Sequence, residues 1–221
     1  MTSVHDSNRI ALRAGLPWVF LGLLGSGLAL ALWAWDPDRE TGPLAALRDT
    51  LGAVASGTCL FGFFLLARGR IARRFNGWLV LAFFAWLVEF CGRLTGLLVA
   101  EFDAVALRWL CAAAAGLALG PGVLGLWDRN VPPGQVELWT RATRFFAVQT
   151  CAAVSLWIAA WAHDASSIEV YRRFLAWMPL GSGHAVSWVL FVGPFAYLLV
   201  AIRRSARWVD ARASITEVLH G

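Results

Sequence analysis

The strongest chemical signal in this 221-residue sequence is an acid and a base inside one long apolar segment, near residues 77–100. Glu89 and Arg93 are four residues apart, which places them on one face of an α-helix together with Trp86. A charge near the bilayer centre costs about 2.5–3.5 kcal/mol on insertion scales, so such residues usually face a cavity or a partner. We therefore predict that Glu89, Arg93 and Trp86 bind a small polar or anionic solute, or protons.

Two other functions fit the same residues. Glu89 could be the catalytic acid or base of a membrane enzyme that acts on a lipid or isoprenoid substrate in a Trp-lined pocket. The Glu89–Arg93 pair could also be a buried ion pair that fixes packing, as in an accessory subunit of a larger membrane complex. The sequence leaves transport, catalysis and docking open.

His163 and His184 are weaker candidates, for a metal or a haem iron at the ends of two apolar segments. No ligand spacing typical of a metal site is present, so we expect no cofactor. Cys111 and His184 could form a thiol–imidazole dyad, but the arginine that a membrane transpeptidase needs is not predicted nearby. Ser56 lies among small residues, yet the order and spacing do not match an intramembrane serine protease, and no role is predicted for it.

The elements that carry these residues follow from composition. Hydrophobic residues make up 59% of the chain and charged residues 15%, against roughly 45–50% and about 25% in a soluble domain. All basic residues are Arg, which excludes a Lys Schiff base, and they flank apolar segments instead of forming the basic face that nucleic acid needs. The four cysteines lie in apolar segments without CxxC spacing and are predicted to be small core residues: Cys59, Cys91, Cys111 and Cys151.

Six segments approach the roughly 20 apolar residues that span a bilayer as a helix. They lie near 16–35, 50–67, 77–100, 107–126, 145–163 and 184–202, with the first predicted to begin at Pro17. We therefore predict an all-α integral membrane protein, with residues 1–221 forming one polytopic domain of about six transmembrane helices. Residues 203–221 would form a basic cytoplasmic tail.

The arginines predict which ends face the cytoplasm. Positive charge accumulates on the cytoplasmic side of membrane proteins, and cytoplasmic termini place thirteen Arg there against five outside. This distribution predicts a multi-pass protein of a bacterial inner membrane. The inner set is Arg9, Arg13, Arg68, Arg70, Arg73, Arg74, Arg129, Arg141, Arg144, Arg203, Arg204, Arg207 and Arg212, and the outer set is Arg39, Arg48, Arg108, Arg172 and Arg173.

Two further patterns concern packing. Apolar residues at near-helical spacing within 166–181 predict a short amphipathic helix on the outer surface, with a re-entrant segment as the alternative. Small residues at i, i+4 steps predict close helix contacts or self-association into a homo-oligomer. They include Gly22 and Ser26 in the first segment, Gly116 and Gly120 in the fourth, and Ala147, Cys151, Ser155 and Ala159 in the fifth.

Overall fold

The computed structural model describes residues 4–35, 42–71, 74–98, 105–127, 133–163, 167–176, 185 and 188–220. Within these ranges the chain is helical apart from turns and one two-residue antiparallel pairing of Arg70–Ile71 (β1) with Arg74–Phe75 (β2). The helices are α1 Val4–Trp35, α2 Pro43–Ala67, α3 Gly77–Leu98, α4 Val105–Leu126, α5 Pro133–Ala162, α6 Ser167–Ala176 and α7 Gly193–His220.

Five of these helices are long and apolar enough to cross a membrane. Their candidate spans are Asn8–Ala29, Pro43–Ala67, Gly77–Thr95, Leu107–Leu126 and Pro133–Ala162. Helices suit such segments because every backbone hydrogen bond closes within the helix, where no water can replace it. The five spans indicate an all-α, multi-pass integral membrane protein.

The long helices form a closed ring. Each of α1 to α5 packs against the next one along the chain, and α7 packs against both α5 and α1. The short helix α6 lies against α5 and α4, where the Tyr171 ring meets the Trp109 ring edge-on at 6.0 Å. The ring arrangement gives the protein a centre at which side chains from several helices can meet.

The first helix begins earlier than predicted. α1 starts at Val4, so Pro17 lies inside the helix rather than at its first turn. An interior proline removes one backbone hydrogen bond and costs about 3 kcal/mol in an exposed helix. Around Pro17 the helix packs tightly on α2, with Leu16 and Val19 fully buried, and this burial offsets the lost bond.

The last helix combines two geometries. Trp188–Val192 forms a π-helical stretch that continues directly into α7 at Gly193. Pro194 stands at this junction, where its missing N–H is least costly. The predicted sixth segment near 184–202 therefore has a helical core from residue 188 onward, and the predicted tail at 203–221 continues the same helix to His220.

The small-residue stripes have opposite outcomes. Close packing at Gly116 and Gly120 is confirmed, because a Cβ at either position would overlap the side chain of Phe146 or Thr143 on α5. On the fifth segment Cys151 and Ser155 are exposed and do not pack within the bundle, whereas self-association through them stays a prediction. The buried face of α5 consists instead of larger side chains, namely Leu138, Trp139, Ala142, Phe146, Gln149, Ala153 and Ala160.

The cysteine prediction holds only in part. Cys59 is buried between α1 and α2, and Cys111 is half-buried. Cys91 and Cys151 are exposed on the outside of the bundle, so they are not core residues. Apolar helices in a membrane bury one side in protein and turn the other to lipid, and hydrophobicity alone does not distinguish the two.

Candidate functional site

Glu89 is the centre of a polar cluster inside the ring. The side chain of Glu89 is only 2% exposed. Glu89 lies on α3, about one turn beyond the middle of the candidate span Gly77–Thr95. Arg93 donates from Nε to Glu89 Oε1 at 2.5 Å, as the i, i+4 spacing predicts. The structure thus brings the predicted pair together and buries it.

A serine that the sequence analysis set aside holds the other carboxylate oxygen. Ser56 on α2 is fully buried and donates its hydroxyl to Glu89 Oε2. Its backbone carbonyl accepts a hydrogen bond of 2.9 Å from Trp86 Nε1. Trp86 is therefore a positioning residue that ties α3 to α2, one turn before Glu89.

Gly52 on α2 leaves the space that the Arg93 guanidinium occupies. α2 and α3 run antiparallel, so Gly52, one turn before Ser56, meets Arg93, one turn after Glu89. A Cβ on Gly52 would lie 2.2 Å from Arg93 Nη1. Only a residue without a side chain leaves room here for the guanidinium, and this explains why the pair can stay inside the bundle.

A second arginine approaches the carboxylate from the next helix. Arg108, in the first turns of α4, has its Nε 4.0 Å from Glu89 Oε1, at the outer limit of an ion pair. That buried Nε has no hydrogen-bond partner among the residues that the structure describes. Two guanidiniums thus face one carboxylate, and the cluster carries one net positive charge.

A small cavity lies beside this cluster. Its volume is about 20 Å³, enough for roughly one water molecule or a monatomic ion. All of α1, α3, α4, α5 and α7 contribute to its wall, through Ser26, Trp86, Glu89, Arg93, Arg108, Trp109, Ala112, Gln149 and Phe195.

The cavity wall contains further unsatisfied polar atoms. Gln149 Oε1 and Ser26 Oγ are buried and, within the described ranges, lack a hydrogen-bond partner, as does Arg108 Nε. Leaving a buried polar atom unpaired costs about 1–3 kcal/mol. Three such atoms in the lining residues make the wall of this space polar.

Of the histidine candidates, His163 does not join this site. His163 is exposed just after the end of α5, and His184 lies outside the described residues, so their predicted pairing and the Cys111–His184 dyad are untested. No three His, Cys, Asp or Glu side chains come together within the part of the chain that the structure describes.

Sequence reasoning missed Ser56, Arg108, Gln149 and Gly52 because each belongs to a different helix from Glu89 or Arg93. The helix rotations that bring them together are not encoded in any local spacing. The sequence position of Arg108 was one usable signal, because Arg108 is the second residue of an apolar span and does not lie in a connection. An arginine placed there could have been considered as a partner for an intramembrane acid.

No protein-family model matches the chain, and comparisons with curated proteins and with solved structures also give no match.

Proposed function

We propose that this membrane protein binds a small anion at the Glu89–Arg93–Arg108 cluster and moves it across the bilayer. The observation that carries the proposal is the buried, unpartnered Nε of Arg108 beside a cavity with net positive surroundings. Desolvated guanidinium groups form hydrogen bonds of about 1.5–3 kcal/mol with charged partners. Such a donor beside an ion-sized space suits a guest of halide size.

Glu89 gives the site a means to exchange its guest. A carboxylate within reach of two arginines competes with an incoming anion for the same donors. Protonation of Glu89 would remove that competition and raise the net charge around the cavity by one unit. We therefore infer that anion binding and proton uptake at Glu89 favour each other, as in proton-coupled transport.

Movement of the anion requires the ring to open. Phe195 closes one side of the cavity, and it belongs to α7 three residues after the end of the π-helical stretch Trp188–Val192. π-Helical turns are frequent at functional sites, and a π-helical turn that becomes α-helical shifts its residues by one position along the helix. We infer that such a shift in this stretch moves Phe195 and opens the cavity.

The finer membrane placement is part of the same proposal. We infer a bacterial inner membrane, six crossings with Trp188–Ile202 contributing to the sixth, and both termini in the cytoplasm. The thirteen-to-five distribution of arginines supports this orientation. It places Arg108 and the first turns of α2 at the outer end, so the cluster is nearer to the outer surface, as is α6.

The enzyme alternative receives less support from the cavity. A space of about 20 Å³ has no room for an isoprenoid unit or an acyl chain. The accessory-subunit alternative is favoured by one observation, the outward-facing small residues Cys151 and Ser155 on α5. Small residues on an outer face let a second helix approach closely, either from a partner protein or from another copy of this chain.

Anion flux from proteoliposomes tests the proposal. Chloride-loaded vesicles that carry wild-type protein should release chloride faster than chloride-loaded vesicles without protein when a proton gradient is applied. Arg108→Gln should reduce apparent chloride affinity about tenfold or more, because each 1.4 kcal/mol lost is a factor of ten. Arg173→Gln, which removes an exposed arginine also paired to a glutamate at i−4, is the matched control.

Binding is measured separately by the thermal stability of the detergent-solubilised protein. A ligand that binds only the folded state raises the melting temperature, so chloride should stabilise wild type and Arg173→Gln but not Arg108→Gln. Flux and stabilisation that are the same in Arg108→Gln and wild type would refute the proposal. A wild-type protein that neither responds to chloride, nitrate and phosphate nor carries them would refute it as well.

A further inference from the structure

A second polar feature lies far from Glu89, on the seam where α5 and α7 meet. Trp139 Nε1 on α5 donates to Ser205 Oγ on α7 at 2.9 Å. The Phe145 and Tyr197 rings meet across the seam with centroids 5.1 Å apart. These two contacts fix an antiparallel register between the helices at the ends that we place in the cytoplasm.

This register places arginines of both helices at the same end of the seam. Arg141 is four residues before Phe145 and so lies on the same face of α5, and Arg204 is seven residues after Tyr197 on the same face of α7. By the register, the two arginines differ in height by about two residues, or about 3 Å along the helix. Both are exposed, and Arg141 also lies beside the Tyr197 hydroxyl.

The seam carries more positive charge than its own acids neutralise. Glu137 binds Arg141 through its carboxylate. Arg144 and Arg204 are exposed and have no carboxylate partner in the described ranges. Three arginines therefore face one glutamate, which is an arrangement that attracts an anionic group from outside the protein.

An open groove and an apolar surface adjoin these charges. The groove has a volume of about 700 Å³ and runs along α5, whose residues Pro133, Val136, Glu137, Thr140, Arg141 and Arg144 line it. Toward the middle of the membrane the same side of the seam continues into the exposed Phe145, Val148 and Val200. A guest that fits both parts has an anionic head and a hydrocarbon tail.

The geometry points to a binding site for an anionic phospholipid, with the phosphate between Arg141 and Arg204 and an acyl chain along Phe145 and Val200. Basic pockets between transmembrane helices at the cytoplasmic surface are a recurring form of lipid headgroup site. The site shares no residue with the Glu89 cluster, so it stands whether or not that cluster binds an anion.

Native mass spectrometry of protein taken from vesicles of equal phosphatidylglycerol and phosphatidylcholine tests this assignment. Wild type should retain phosphatidylglycerol in preference to phosphatidylcholine. Each arginine near an anionic surface contributes about fivefold to affinity, so Arg141→Gln with Arg204→Gln should lower retention about 25-fold. Arg173→Gln is the matched control, because Arg173 is exposed and bound to Glu169 at i−4 on α6.

The same three proteins are then compared for thermal stability with phosphatidylglycerol, phosphatidylcholine or inorganic phosphate added. Phosphatidylglycerol alone should stabilise wild type and Arg173→Gln. Equal retention of both lipids, or unchanged retention in the double variant, would overturn the assignment. Stabilisation by inorganic phosphate as strong as that by phosphatidylglycerol would also overturn it, because the acyl chain would then contribute nothing.

Discussion

The protein repeats one local arrangement, a glutamate four residues before an arginine, in two different environments. Glu89–Arg93 lies inside the ring with the carboxylate 2% exposed. Glu137–Arg141 lies on the outer surface of α5 with the side chains 62% and 59% exposed. The contacts within each pair are alike, and the difference lies in what surrounds them.

Burial changes what the same pair can do. Around Glu137 water competes for the charges, and a surface pair of this kind adds little to stability. Around Glu89 the protein supplies Ser56, Arg93 and Arg108 in place of water, and the remaining donor of Arg108 faces a cavity. Spacing alone therefore identifies an ion pair, whereas a chemical site also needs partners from other helices.

The largest difference between the two pairs is expected in stability. Glu89→Ala leaves two largely buried guanidiniums without their carboxylate, and breaking a buried pair in this way costs about 3–5 kcal/mol. Glu137→Ala leaves Arg141 in water and should unfold at the same denaturant concentration as wild type. Unfolding of the detergent-solubilised variants in increasing SDS measures both.

Equal stability of Glu89→Ala and Glu137→Ala would contradict the buried network described above. Glu89→Gln separates charge from shape, because the amide can still accept from Ser56 and fits the same space. We expect this variant to be less destabilised than Glu89→Ala. If the two variants are equally destabilised, the negative charge itself holds the cluster together.

Three Gly→Ala variants separate the effect of close helix–helix contacts from the effect of the position of Arg93. A Cβ on Gly22 would lie 2.4 Å from the backbone nitrogen of Cys59, so Gly22→Ala must separate α1 from α2. Overpacking of this kind costs about 1–3 kcal/mol. Gly52→Ala meets only the end of the flexible Arg93 side chain, and Gly27→Ala meets nothing within 4 Å.

The three alanines share the same gain in helix propensity, up to about 1 kcal/mol, so their differences report the contacts. Gly22→Ala should lower the SDS concentration of unfolding. Gly52→Ala should keep most of its stability but lose chloride-induced stabilisation, since the Nη1 end of the Arg93 guanidinium must shift beside the cavity. Gly27→Ala should match or exceed wild type. Normal chloride stabilisation in Gly52→Ala would show that the site tolerates a displaced Arg93.

The sequence predicts features that lie within one helix better than contacts between helices. Long apolar segments predicted five described spans, because bilayer thickness and backbone hydrogen bonding fix helix length. The Glu89–Arg93 contact was predictable because it lies within one helix. Ser56 and Gly52 were not, since their role depends on how α2 rotates and slides against α3.

Errors of helix orientation have the same origin. Packing within the bundle was one of two predictions for the small residues Cys151 and Ser155, which face outward, while Gln149 lines the cavity. In lipid, an apolar or small residue is compatible with either side of a helix, so periodicity gives a face but not its direction. A buried amide such as Gln149 is the better indicator, because it is costly on the lipid side.

The smallest effect is expected at the tryptophan that joins the two helices. Trp86→Phe keeps the aromatic contact with Phe63, whose centroid is 5.5 Å away, but removes the hydrogen bond from Nε1 to the Ser56 carbonyl. The loss should be about 0.5–1.5 kcal/mol, measured by SDS unfolding. Trp157→Phe is the control, because Trp157 is exposed on the outer face of α5 and should be neutral. A Trp86→Phe protein as stable as this control would mean that Ser56 holds Glu89 without help from the indole, and Trp86 would then serve only to fill the core.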